Sequence, residues 1–148
     1  MFKKLFIFAV IVGIGIFAWR LAEENLAGPR VKIGDHAFSV QIADTNDERI
    51  QGLSGQPPLR SNEGMVFIFP KPDLYGFWMQ GMAFPIDIIW IKDNRVIGFE
   101  EDLEPDSNPV PKIYRPPTLV DQVLEVKAGQ VKERGISIND PVTFELNN

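Results

Sequence analysis

A chain of 148 residues, 45% hydrophobic and 24% charged, is long enough for one globular domain plus an appendage and too apolar to be disordered. It has no cysteine, which excludes thiol catalysis, disulfides and thiolate metal centres. Setting aside Lys3, Lys4, Arg20, Glu23 and Glu24 leaves 12 basic against 18 acidic side chains over 26–148. A surface of that sign repels phosphate backbones, so nucleic acid is not an expected partner.

Lys3 and Lys4 precede an unbroken apolar run, Leu5 to Trp19, which Arg20 ends. A helix of that length covers about 22 Å. Phe2, Leu21 and Ala22, with snorkelling by Lys4 and Arg20, lengthen it towards the roughly 30 Å hydrocarbon core. A cleaved signal peptide is the alternative. Cleavage after Ala22 would set Arg20, and cleavage after Ala18 would set Ile16, where a small residue is wanted. The expectation is therefore an N-terminal hydrophobic helix in residues 1–22, anchoring the chain once in the cytoplasmic membrane through residues 5–22. The paired lysines stay inside and the domain lies on the extracytoplasmic side.

Residues 23–30 read as a linker, and the domain runs from 31 to 148. Val31–Ile33, a Gly34-Asp35 turn and the alternating His36–Ala43 predict a pair of strands. Thr45 and Glu48 form a capping box that starts a helix, and Gly52 and Gly55, with Pro57 and Pro58, end it. Gly64–Phe69 reads as a strand, 71–76 as a turn and Phe77–Met79 as a further extended stretch. Pro85–Ile91 is the strongest strand, turned by Asp93-Asn94 into a strand over 95–101. Five prolines in 102–118 predict a long loop. Strands at 122–128 and 142–146 flank a single helical turn at 131–135. Short strands with one or two brief helices indicate a mostly β (β-rich α+β) domain, a small barrel-like antiparallel one.

Asp87 stands in a strand whose two faces are both apolar, so its carboxylate needs a partner. Arg49 is the candidate, since a guanidinium can offer two parallel hydrogen bonds; an Asp bonded to turn amides is the plainer reading. Met65, Met79 and Met82 gather around Trp78, which could suit Cu(I), but methionine beside aromatics more often fills core space. The acidic stretch Glu100–Asp106 lacks the spacing of a Ca²⁺ loop. No cofactor and no metal site is expected.

Taken together, these segments resemble domain of unknown function family 192, an uncharacterised bacterial and archaeal family. The resemblance runs from about Val31 to Leu146. It rests on Glu48-Arg49-x-x-Gly52-Leu53, Gly64-Met65-x-Phe67-x-Phe69, Phe77-Trp78-Met79, Pro85-Ile86-Asp87-Ile88-Ile89 and Val123-Leu124-Glu125-Val126-x-x-Gly129. The family pattern has Met where this chain has Ser54, and Asn-Thr where it has Gly81-Met82. The resemblance implies a compact β-rich domain, often exported, and supplies no activity. Two readings follow. The first is a non-catalytic ligand-binding or accessory module of the cell envelope, taking a small molecule or envelope ligand in a pocket formed by Arg49, Met65, Trp78, Met79, Asp87 and Glu125. The alternative is a hydrolase-like enzyme with Asp87 and Glu125 as acid and base.

Overall fold

Period-two alternation of β-branched and aromatic side chains builds seven strands in the computed structural model, which describes residues 28–146. The expected N-terminal helix lies outside those residues. The strands are β1 (Arg30–Ile33), β2 (His36–Ala43), β3 (Glu63–Asp73), β4 (Ile86–Lys92), β5 (Arg95–Leu103), β6 (Val120–Lys127) and β7 (Val142–Glu145). Two short helices, α1 (Asn46–Gln51) and α2 (Gln130–Glu133), complete the fold. No helix among the described residues is long and apolar enough to cross a membrane.

One sheet holds all seven strands in the order β5-β4-β6-β3-β2-β1-β7. Its edge strands curl towards each other at one corner. There Val96 N–H donates to Asp140 O and Val142 N–H to Asn94 O, at 3.1 and 2.8 Å, making a half-barrel. The sheet is not wholly antiparallel as expected: β2 and β3 run parallel, linked through α1. A parallel pair needs a crossover, and the segment 44–62 supplies it.

The capping box forms as read. Thr45 Oγ1 accepts the Glu48 N–H, and Glu48 returns a carboxylate oxygen to the Thr45 N–H. β3 runs on through Pro70 and Pro72, where a turn was expected. Its pairing with β6 loses regular register after Ile68, and residues from Pro70 to Asp73 are exposed, so neither proline removes a ladder bond. β5 reaches Leu103, into the expected loop. Phe77–Met79 makes no strand, and Phe77 alone bridges to Tyr114.

β4 is buried on both faces, as its composition implies. Ile86, Ile88 and Trp90 join Phe67, Phe77, Met79 and Val123 on one side. Ile89 and Ile91 join Phe38, Val66, Leu124 and Val126 inside the curl of the sheet. Gly64 lets β3 and β6 meet, because a Cβ there would stand 2.6 Å from the Glu125 carbonyl oxygen.

Candidate functional site

Glu125 sits in the middle of β6, between Met65 of β3 and Ile88 of β4. Its parity is that of Val123, so it points to the outer core and not into the barrel. Only 5% of the residue is exposed. Its side chain lines a cleft of about 80 Å³. Arg49, Gly52, Leu53 and Ser54, from α1 and the turn after it, form one wall. Phe67 and Phe69 of β3 form another, and Tyr75, Phe77, Trp78 and Met82, from the segment before β4, complete it.

The aromatic walls brace one another. Phe69 stacks on Tyr75 with centroids 3.5 Å apart, and Phe77 meets Phe67 edge-on at 5.0 Å. Trp78 stands at the rim, 40% exposed. This apolar lining removes water from the Glu125 carboxyl, and that burial pushes its pKa up to about 8. Among the described residues no opposite charge or hydrogen bond offsets the shift. Glu125 is therefore mostly protonated at neutral pH.

Arg49 lines the cleft but is directed elsewhere. Its Nη1 donates to the carbonyls of Asp44 and Ile68, and its Nη2 donates to Asn46 Oδ1 at 2.8 Å. The guanidinium lies over the Phe69 ring at 5.4 Å. Arg49 thus ties the start of α1 to β3.

The expected Arg49–Asp87 pair does not occur. Asp87 is fully buried and accepts three backbone N–H groups, from Asp102 at 2.8 Å, Gly129 at 3.1 Å and Val131 at 2.8 Å. It clamps the ends of β4 and β5 to the first turn of α2, and the plainer reading was the right one for this residue. Asp87 pairs with Val126, one position from Glu125. A shift of one residue along a strand reverses the face, so the two carboxyls lie on opposite sides of the sheet. They cannot serve one substrate as acid and base.

Of the six candidate pocket residues, the structure brings Arg49, Trp78 and Glu125 together. Asp87 lies across the sheet. Met79 is fully buried packing, and Met65 is buried next to Glu125 across β3 and β6 but opens towards the other side of α1. The acidic stretch after Glu100 forms no ligand cluster, since no group of three His, Asp or Glu side chains converges among the described residues.

With the fold and cleft in place, the family model of DUF192, described as "Uncharacterized ACR", matches residues 29–144. The chain belongs to the DUF192 family. Two crystal structures are similar in fold to this chain. One is a protein of unknown function from Novosphingobium aromaticivorans, 32% identical, with TM-score 0.68, over 77% of this chain and 83% of that one. The other is a candidate transcription regulator from Sinorhizobium meliloti, 28% identical, with TM-score 0.71, over 78% and 91%. No curated protein matches the chain.

Phe69, Tyr75 and Met82 line the cleft of this DUF192 domain although none was expected there from the sequence. Phe69 and Tyr75 flank the Pro70–Asp73 extension, which brings their rings back into a stack. The signal in the sequence is the run of aromatics on both sides of residues 71–74.

Proposed function

We propose that this domain is a non-catalytic binding module whose cleft at Glu125 receives a small amphipathic group. The observation that carries the reading is a carboxyl at 5% exposure, without a partner among the described residues, lining a hollow with aromatic walls. Such a group is costly to bury, and a bound ligand supplies what the protein does not. The lining includes no histidine and no second acid, so it offers one titratable carboxyl without the companion that acid–base hydrolysis requires. The acidic balance of the domain disfavours the nucleic-acid role suggested by the name of the Sinorhizobium protein.

A screen of small amphiphiles of every charge, followed by amide NMR, tests this reading. Binders should perturb Phe69, Trp78 and Glu125 together. Perturbations confined to other surfaces would refute it. We also propose that residues 5–22 anchor the domain on the outer side of the cytoplasmic membrane, a location supported by the apolar run behind Lys3 and Lys4. Protease added to spheroplasts should degrade the domain; a protected domain would reverse the orientation.

A further inference from the structure

We propose that the cleft takes the head group of an organic ammonium ion, with Glu125 as its counter-charge and the aromatic rings as its walls. This assignment rests on the binding role proposed above and names the ligand class.

A buried carboxyl can be satisfied by a cation of the protein, by hydrogen-bond donors, by a proton, or by a ligand. Among the described residues the first two are missing. Arg49, the cation among the lining residues, directs its bonds to Asp44 O, Ile68 O and Asn46 Oδ1. The space against Glu125 is thus left to a proton or a ligand. The rings favour a positive guest, because an aromatic face carries negative charge. Three cations among the described residues already use such faces: Arg49 over Phe69 at 5.4 Å, Lys112 over Tyr114 at 4.4 Å and Arg134 over Phe38 at 4.3 Å. The excess of acidic residues draws cations towards the domain. The hollow, about 80 Å³, is far below the roughly 300–1,000 Å³ of a drug-sized site, so it fits a head group and not a whole ligand.

The charged and titratable groups around Glu125 are few. Across the strands stand Met65 and Ile88, which do not titrate. On its own strand, Asp121 and Lys127 share its parity, and Lys127 is exposed. From α1 and the segment before β4 come Arg49 and Tyr75. Burial and then Asp73 raise the Tyr75 pKa, Arg49 lowers it in part, and at Glu125 burial alone sets the sign.

A permanent cation binds best to the ionised carboxylate. Burial pushes Glu125 up to about 8 in the empty cleft, so binding below that pH must release a proton. Affinity should then rise up to tenfold per pH unit between about pH 6 and 8, and level off above.

The test is calorimetry on the full chain in maltoside detergent with three probes of one shape. These are choline, its neutral isostere with carbon in place of nitrogen, and the anionic tert-butylacetate. Choline should bind at least tenfold more tightly than either other probe, with the stated pH slope. Glu125→Gln should weaken choline at least tenfold and abolish its preference over the neutral isostere. Trp78→Leu should weaken choline severalfold. If Glu125→Gln fails to fold by circular dichroism, the comparison of isosteres and the pH slope on the parent still decide. A neutral or anionic probe binding as tightly as choline, or a choline affinity that is flat or falls with pH, would overturn the ligand class and leave the binding role standing. No binding by any probe, together with an empty amphiphile screen, would overturn both.

Discussion

Replacing Asp87 with alanine isolates the role that the structure gives this carboxylate. The change strands the N–H groups of Asp102, Gly129 and Val131 at once. Val131 is buried, so its amide bears the full penalty of an unpaired donor, about 1–3 kcal/mol. Asp102 and Gly129 lie nearer the surface, where water can replace part of the lost bond at about 0.5–1 kcal/mol each. The expected loss is about 3 kcal/mol, a large share of the roughly 5–15 kcal/mol that holds a domain folded. Asp87→Asn should lose about half as much, because one side-chain oxygen still accepts. Urea denaturation followed by circular dichroism measures both. Arg49 shares none of these partners, so Asp87→Ala and Arg49→Ala should add to within about 0.5 kcal/mol in a double-mutant cycle. A loss for Asp87→Ala below about 1 kcal/mol, or a coupling with Arg49 above about 1 kcal/mol, would refute the amide clamp.

Three further outcomes follow from the same geometry. Gly64→Ala drives a methyl into the Glu125 carbonyl at 2.6 Å and should destabilise by about 1–3 kcal/mol, read as a lower urea midpoint; a neutral result would mean that β3 and β6 separate easily. The pKa of Glu125 is raised above its unfolded value, so the folded state holds a proton that the unfolded chain releases between about pH 4.5 and 8. Stability should fall across that window by up to about 1.4 kcal/mol per pH unit, and Glu125→Gln should remove the slope and stabilise the domain above pH 8. Trp78→Ala at the rim should cost about 1 kcal/mol, against about 3–5 kcal/mol for the buried Trp90→Ala; equal losses in thermal melts would make Trp78 core.

Local signals were legible in the chain. The Thr45–Glu48 capping box and the two-faced burial of β4 follow from short-range spacing. So does the Asp93-Asn94 turn, whose residues have φ of 51° and 56°. Long-range facts were hidden. The parallel pairing of β2 and β3 depends on the crossover through α1, which no dipeptide encodes. Arg49 was readable as a cation in need of acceptors, but its acceptors are carbonyls, and a carbonyl leaves no trace in side-chain identity. Asp87 looked reactive for the same reason, since its partners are backbone amides. Glu125 stood in a plain strand pattern, VLEV, and its significance comes from the register that sets it one residue out of step with Asp87.

The most direct measurement is the titration of the Glu125 side-chain carboxyl carbon by NMR in the free protein. A buried carboxyl without a partner in the cleft predicts a midpoint near 8, absent in Glu125→Gln. A midpoint in the ordinary carboxylate range, about 4–5, would show that Glu125 is hydrated or paired and would contradict the site on which the proposed function rests.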